Sequence, residues 1–235
     1  MIIVAHRGGP RVYPENSAAA INASFEGGAD IVEIDIRLSL DKVPVVIHDD
    51  SLKRLFSIDR NVREISAAEL TSLAYGHPEK SHLATLESTL QNCRKFPLLL
   101  HVREEKEGLL PILETVEKSG WSSKVVLGIV TQEALRTVKE RASAVSLLAF
   151  IPSPEDLPGF AAAGVDVIRL WDSWITEERI REIHRHGILA AAMTGNPGKD
   201  VGETTAERLL ELKTLGIDWV LVNDVQLGAK TLKHR

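Results

Sequence analysis

Short apolar runs alternate with amphipathic stretches from one end of the chain to the other. Each run is four to six residues long and is followed by apolar residues at helical spacing, a pattern typical of parallel βα units. Eight runs are predicted as principal strands, at residues 1–5, 31–36, 98–102, 124–129, 145–150, 165–170, 188–193 and 219–222. Eight such units in 235 residues predict a single-domain, TIM-type (β/α)8 barrel.

A doubly wound open sheet is the alternative arrangement of the same pattern. That fold usually has a glycine-rich dinucleotide turn after its first strand, and HRGGP at residues 6–10 is not one. The run at 43–47 is either a hairpin partner of the second strand or an extension of the barrel wall. Residues 49–83 are polar apart from a short helical stretch at 66–73, and we expect a surface excursion there.

The composition excludes several classes of function. The net charge is −5 and the basic residues are scattered, so neither a nucleic-acid partner nor a membrane surface is indicated. No stretch approaches the roughly 18–20 apolar residues that span a membrane. The first five residues lack the basic region of a signal peptide. The single cysteine, Cys93, excludes an internal disulfide framework, and we expect a cytoplasmic protein that binds a small molecule.

Ionisable residues lie on strands that are otherwise apolar. Glu33 and Asp35 are two residues apart and share one face of the second strand, while the other face is apolar. By the same parity His101, Arg103 and Arg169 point into the barrel. Because the carboxyl ends of barrel strands carry the active site, we expect these groups to meet at the mouth.

A buried salt-bridge network is the structural alternative, and it would explain a pair between Glu33 and Arg103. It does not explain His6 and His48, which stand immediately beyond strand ends in loops rich in Gly, Pro and Asp. These two histidines therefore favour a catalytic or binding site.

Four motifs follow one another in the first fifty residues. HRG lies at 6–8, PEN at 14–16, E-x-D on the second strand, and HD at 48–49. In this order and spacing they resemble the glycerophosphodiester phosphodiesterase family. The similarity continues with Leu52, Arg54, the segment ATLESTL before the third strand and GIDWVLVND near the end. It therefore spans nearly the whole chain.

The resemblance implies a TIM-like barrel and a divalent metal ion, with hydrolysis of glycerophosphodiesters to glycerol 3-phosphate and an alcohol. It implies that His6 and His48 are the general acid/base pair, that Glu33 and Asp35 bind the metal, and that Arg7 holds the phosphate. We expect Glu15 to contact the substrate; Asn16 either does the same or caps the helix that follows.

Physical chemistry agrees with these roles. A phosphodiester gathers negative charge in its transition state and needs a cation and fixed positive donors nearby. Two carboxylates on one strand supply a hard-ion site of the Mg²⁺ or Ca²⁺ type. One histidine can deprotonate the nucleophile while the other protonates the leaving alkoxide, each worth roughly 10²–10⁴-fold in rate.

The chain departs from the family at two places. Where family members usually have a pattern like I-E-I-K, this chain has Leu100, His101, Val102 and Arg103. Arg103 can replace the lysine as a phosphate clamp. His101 either binds the metal, which would favour Mn²⁺ or Zn²⁺, or leaves the metal site weak or empty. In the second departure, Met193 stands where the family commonly has the Trp of a Trp-Thr pair, which changes the substrate wall.

The sequence leaves open the position of two tryptophans and the choice among three functions. Trp171 and Trp174 either line a pocket for the alcohol or cover the barrel mouth. The motifs fit an active hydrolase, a non-catalytic barrel that binds a phosphodiester, or a lyase that stops at a cyclic phosphate. The presence of His6, Arg7, Glu33, Asp35 and His48 together favours an enzyme, because a binding module has no need of two flanking histidines.

Overall fold

The protein is described by a computed structural model that covers residues 1–9, 11–76, 81–93, 96–141, 144–195 and 200–233. The sequence also predicts a helix that ends at about Lys95, a solvated His77 and a helical His234 far from the barrel mouth. These three residues lie outside the described ones.

Eight parallel strands close into a barrel. They are β1 (Ile2–Ala5), β2 (Ile31–Leu38), β4 (Leu98–Val102), β5 (Val125–Ile129), β6 (Ser146–Phe150), β7 (Val167–Trp171), β8 (Leu189–Met193) and β9 (Trp219–Val222), while β3 (Pro44–Val46) is additional. Strand β1 pairs with β2 on one side and with β9 on the other, so Val4 is in register with both Ile31 and Leu221. The predicted TIM barrel is confirmed, and the open-sheet alternative is wrong.

The side chains of each barrel strand point alternately into two separate hydrophobic cores. The inner core fills the barrel and includes Val4, Leu99 and Leu148. The outer core lies between the barrel and its helices and includes Ile34, Leu100 and many helical side chains. Because side chains on a strand alternate between faces, Glu33 and Asp35 share the inner side with Ile31, as their parity predicts.

Helices surround the barrel and follow its strands. They include α1 (Ala18–Glu26), α4 (Leu86–Asn92), α5 (Leu109–Lys118), α6 (Gln132–Arg141), α7 (Leu157–Ala162), α8 (Glu177–Arg185), α9 (Ala206–Leu215) and α10 (Val225–Leu232). Several of them begin directly after a hydroxyl residue, which is the N-cap of the helix. The side chains of Ser17, Thr176 and Thr205, for example, each accept a hydrogen bond from the backbone N–H three residues ahead. Among the described residues no helix combines the length and apolarity needed to cross a membrane.

The segment after β2 is a hairpin followed by a small packed unit. Strand β3 runs antiparallel to β2, so the hairpin alternative is confirmed. The helices α2 (Lys53–Phe56) and α3 (Ala67–Ser72) follow. Although the segment is polar overall, its few apolar residues form a third cluster of their own, which contains Val45, Ile47, Leu52, Val62, Ile65, Leu70 and Leu83. These contacts hold the loop after β3 against the rim of the barrel. His48 lies at the start of this loop.

Candidate active site

Three potential metal ligands converge inside the barrel mouth. Glu33 and Asp35 on β2 and His101 on β4 each offer one ligand atom, and these atoms all lie within 4.8 Å of one another. His101 Nδ1 is 3.5 Å from Glu33 Oε1 and 3.3 Å from Asp35 Oδ1. This geometry arises because Asp35 on β2 and His101 on β4 are directly paired in the strand register. Two buried carboxylates and an imidazole at this spacing fit a divalent cation.

Asp35 is the centre of a buried hydrogen-bond network. Its Oδ1 accepts from Nε and Nη2 of Arg103, at 3.1 and 2.8 Å. Its Oδ2 accepts from Asn16 Nδ2 at 3.2 Å, and its backbone N–H donates to Asn16 Oδ1 at 3.0 Å. Arg7 Nε is 3.7 Å away. The salt-bridge network considered from the sequence therefore exists, but Arg103 pairs with Asp35 and not with Glu33.

The network controls the charge of Asp35. Burial alone raises its pKa, but the hydrogen bond and charge of His101 and the charge of Arg103 hold that pKa well below the ordinary value. Asn16 positions this carboxylate through its side chain, with a backbone φ of 60° that asparagine tolerates. The helix cap is Ser17, so the cap interpretation of Asn16 is wrong.

A tight turn after β1 carries Arg7 into the site. His6–Gly8 form a single 3-10 turn, in which Arg7 has φ 50° and ψ 32°. The backbone N–H of Arg7 donates to Glu33 Oε2 at 2.7 Å, and this bond fixes the strained conformation. A Cβ on Gly9, at φ 62°, would lie 2.7 Å from Ser24 Oγ, so glycine is needed there.

His6 and His48 are each held at Nδ1 by a different kind of partner. His6 Nδ1 lies 2.9 Å from Asn223 Oδ1, just beyond β9. Asn223 Nδ2 donates to the carbonyl of Val201 at 2.8 Å, which turns its amide oxygen towards His6. His6 therefore carries its proton on Nδ1 and presents Nε2 for proton transfer. His48 Nδ1 lies 2.6 Å from Asp49 Oδ1, a carboxylate.

A chain of charges supports His48. Arg54 Nε donates to Asp49 Oδ2 at 2.5 Å, and its Nη2 donates to Glu15 Oε1 at 2.6 Å. Burial raises the pKa of Asp49, but hydrogen bonds from Arg54 and His48 lower it to about 2. Burial lowers the pKa of His48, and the charges of Arg7 and Arg103 act in the same direction.

Glu15 lies between two arginines. Besides Arg54, the guanidinium of Arg7 contacts it at 3.4 Å. Glu15, His48 and Asp49 also form a second group with metal-ligand spacing. Because Arg54 occupies both Glu15 oxygens and one of Asp49, this second group is already neutralised within the chain.

The opposite side of the mouth is aromatic and cationic. The guanidinium carbon of Arg169 on β7 lies 4.1 Å from the ring centre of Trp171 and 5.2 Å from that of Phe150. The Phe150 ring also stacks on His101 at 3.8 Å between ring centres. Burial, together with the charge of Arg103, lowers the pKa of Arg169 to about 9. Trp171 packs with the inner core and Trp174 with the outer core, so only Trp171 faces the mouth.

Residues 6–227 match the sequence pattern of the glycerophosphoryl diester phosphodiesterase family. The chain belongs to that family. The Bacillus subtilis protein YhdW is 25% identical over all of this chain and 99% of its own length. Mouse lysophospholipase D GDPD3 is 30% identical over 46% of this chain, and the match spans 36% of the mouse protein.

A solved structure shows the same fold. The Oleispira antarctica phosphodiesterase OLEI02445, in complex with its product sn-glycerol-3-phosphate, has a TM-score of 0.85. The similarity covers 99% of this chain and 96% of that one, at 22% identity. The predicted family and enzyme class, a phosphoric diester hydrolase, are confirmed.

The structure of this glycerophosphoryl diester phosphodiesterase brings all the predicted site residues to one end of the barrel. Sequence reasoning missed the roles of Asn223, Asp49 and Phe150. Two of them had a signal in the sequence, because Asn223 directly follows an apolar run and Asp49 directly follows His48. Phe150 had none, since an aromatic residue at the end of a strand is ordinarily part of the core.

Proposed function

We propose that this glycerophosphoryl diester phosphodiesterase cleaves glycerophosphodiesters to glycerol 3-phosphate and an alcohol, with His6 and His48 as its acid/base pair. The observation that carries the proposal is the fixed partner at Nδ1 of each imidazole, Asn223 Oδ1 for His6 and Asp49 Oδ1 for His48. With Nδ1 held, each ring has Nε2 for proton transfer at the mouth that contains the carboxylates.

The two partners suit the histidines to different roles. Asp49 is ionised, so it stabilises the imidazolium that forms when His48 takes a proton. The lowered pKa of His48 keeps its resting form neutral, as a general base requires. The partner of His6 is a neutral amide, which stabilises an imidazolium less and makes His6 the better proton donor. In our proposal His48 takes a proton from the attacking water, or from a neighbouring glycerol hydroxyl whose cyclic phosphate water then opens. His6 acts as the imidazolium: it gives its Nε2 proton to the leaving alkoxide and keeps the Nδ1 proton that faces Asn223.

Glu33, Asp35 and His101 would hold a divalent metal ion, which when bound supplies positive charge to the phosphate oxygens. One imidazole in place of a carboxylate removes a negative charge and softens the donor set. We therefore propose that Mn²⁺ or Zn²⁺ serves this site better than Mg²⁺ or Ca²⁺.

We propose that Arg7 and Arg103 donate hydrogen bonds to the phosphate of the substrate. Both guanidinium groups approach Asp35 from the mouth, at 3.7 Å and 2.8 Å. Glu15 holds Arg7 and Arg54 in place, so in this structure it contacts arginines through both oxygens. Its proposed contribution to substrate binding is therefore to orient Arg7.

The decisive assay measures release of glycerol 3-phosphate from glycerophosphocholine and glycerophosphoethanolamine. The protein is stripped with EDTA, and Mg²⁺, Ca²⁺, Mn²⁺ or Zn²⁺ is added back singly. We expect restored release, lost in His6→Ala and His48→Ala and kept in His186→Ala, whose histidine is exposed at the end of α8. No release with any ion, from a folded protein, would contradict the hydrolase and favour a phosphodiester-binding barrel.

A second substrate separates the two histidines. A diester with a p-nitrophenolate leaving group needs no proton to depart, so it should restore much of the rate of His6→Ala and little of that of His48→Ala. Equal rescue of both variants would contradict the assigned roles. Phosphorus NMR of the same reaction distinguishes hydrolysis from a lyase, because a lyase accumulates the cyclic phosphate.

We also propose that the protein acts in the cytoplasm on small-molecule diesters. A single buried cysteine, Cys93, and a net charge of −5 support this location and this partner class. Cell fractionation followed by immunoblotting tests it, and recovery in an extracytoplasmic fraction would contradict it.

A further inference from the structure

Arg169 is a buried cation without a counter-ion in the described part of the chain. Its side chain enters the barrel from β7, and the residue is only 5% exposed. Within the described ranges, no acidic side chain forms an ion pair with it, and its Nε and Nη1 have no hydrogen-bond acceptor. Burying an unpaired charge is strongly unfavourable. The position therefore calls for an anion that these residues do not supply.

Two aromatic rings determine how Arg169 can use its donors. Trp171 and Phe150 lie 4.1 Å and 5.2 Å from the guanidinium carbon. Cation–π contacts of this kind hold a guanidinium by its charge but satisfy none of its N–H groups. Arg169 is thus fixed in position with its N–H donors still available, which is the arrangement expected of a preorganised anion site.

The other arginines of the mouth differ from Arg169 in having carboxylate partners. Arg103 is bonded to Asp35, and Arg7 contacts both Glu15 and Asp35. Arg103 is also close enough to Arg169 for its charge to oppose that of Arg169. Two converging guanidinium groups repel each other unless an anion lies between them. The Phe150 ring, stacked on His101, places this pair beside the proposed metal ligands.

We propose that Arg169 binds a phosphate oxygen of the diester, as a donor in addition to Arg7 and Arg103. This inference rests on the proposed function, because it assigns a third arginine to the same substrate group. Its position on β7, opposite β2, lets it approach the phosphate from the side away from Glu33 and Asp35. Arg169 is then a substrate-binding residue.

A purely structural role for Arg169 predicts the opposite effect on stability. If the guanidinium mainly holds Phe150 and Trp171 together, its removal should destabilise the protein. If the guanidinium instead binds an anionic ligand, it is an unpaired buried charge in the ligand-free protein. An apolar side chain of similar length should then stabilise the ligand-free protein, because the buried charge is removed. Arg169→Met makes this replacement and keeps the space between the rings filled.

The experiment compares wild type, Arg169→Met, Arg169→Lys and the control Arg181→Met, whose side chain is 73% exposed on α8. Calorimetry at fixed divalent-ion content measures binding of inorganic phosphate and of sn-glycerol 3-phosphate. We expect Arg169→Met to weaken both by about tenfold to a hundredfold, the loss of hydrogen bonds to a charged group. Arg169→Lys should lose less, and the control should match wild type.

Two further measurements need no enzymatic turnover. Without phosphate, the urea midpoint of Arg169→Met should exceed that of wild type, and added phosphate should raise the wild-type midpoint more than that of the variant. In wild type the Nε–H resonance of Arg169, assigned by its absence from Arg169→Lys, should shift on phosphate addition. This last measurement requires no Met variant to fold.

The outcomes separate this inference from the proposed function. Unchanged affinity of Arg169→Met for both anions, or an Nε–H resonance that ignores phosphate, overturns the role of Arg169. A wild-type protein that binds phosphate through Arg169 but releases no glycerol 3-phosphate from any diester supports the inference and overturns the hydrolase.

Discussion

The two sides of the barrel mouth balance their charges differently. The acidic wall, formed by Glu33, Asp35 and His101 of β2 and β4, has a partner within the chain for each charged group. The aromatic wall, formed by Phe150, Arg169 and Trp171 of β6 and β7, holds a cation with none among the described residues. The chain therefore supports the acidic wall by itself, while the aromatic wall needs an anionic ligand for charge balance.

Phe150 joins the two walls. Its ring stacks on the ring of His101, with 3.8 Å between the ring centres, and the guanidinium carbon of Arg169 lies 5.2 Å from the Phe150 ring centre. Gly128 on β5 makes room for it, because a Cβ there would overlap Phe150 Cε2. A change at either residue should therefore affect both walls together.

The largest effect is expected in the acidic wall. Asp35→Asn should lower the free energy of unfolding by about 3 kcal/mol, because Arg103 and Arg7 lose the buried negative charge that pairs with them, and it should abolish turnover. Urea denaturation measures the difference. The matched control is Asp59→Asn, a carboxylate that is 89% exposed and 3.7 Å from Lys53, where we expect almost no change. Equal losses in the two variants would contradict the buried network.

A smaller effect is expected where the walls meet. Gly128→Ala should cost about 1–3 kcal/mol of stability, since the methyl group displaces the Phe150 ring. It should also weaken the binding of both Mn²⁺ and inorganic phosphate, as measured by calorimetry. Gly76→Ala is the control, because a Cβ there meets nothing within 4 Å. A change in only one of the two affinities would mean that the walls act independently.

A pH profile sharpens the comparison within the acidic side. Because burial lowers the pKa of His48, the acidic limb of kcat/KM should lie below pH 6.5, the usual value for histidine. Activity should fall as the pH drops through that limb, where the base becomes protonated. Asp49→Asn removes a hydrogen bond that raises this pKa, so its limb should move to still lower pH. A limb that moves upward would contradict the pairing.

The smallest effect concerns stability in acid. The folded pKa of Asp49, about 2, is below its unfolded value of 3.8, so its stabilising effect is present above pH 3.8 and is lost as the pH falls towards 2. Urea midpoints of wild type and Asp49→Asn should therefore differ slightly near pH 6 and converge by about pH 2. A difference that persists in acid would mean that Asp49 stabilises the protein by something other than its charge.

The pattern of apolar runs in the sequence was enough to predict most of the fold and the positions of the charged side chains. Strand parity alone places Glu33, Asp35, His101 and Arg169 inside the barrel, because side chains alternate and one face must be apolar. The apolar cluster of the segment after β3 was not predicted. Its members, such as Leu52 and Val62, are spaced irregularly among polar residues and show neither strand nor helix periodicity.

Partner choice was harder to predict than position. The sequence suggests Arg103 as a partner for Glu33, whereas the structure pairs it with Asp35. Which of two carboxylates on one strand an arginine reaches depends on strand register and rotamer, and neither can be read from periodicity. The unpaired state of Arg169 is likewise a property of its surroundings, since it depends on the absence of acidic residues from the two neighbouring strands, β6 and β8.

The pairing of β1 with β9 has a consequence for biosynthesis. His6 is synthesised before Asn223, whose side chain fixes its tautomer, because 217 residues separate the two. A nascent chain that ends before β9 can already bring Glu33, Asp35 and His101 together through β2 and β4. It cannot orient His6, because Asn223 reaches His6 only after β9 has been synthesised and has paired with β1.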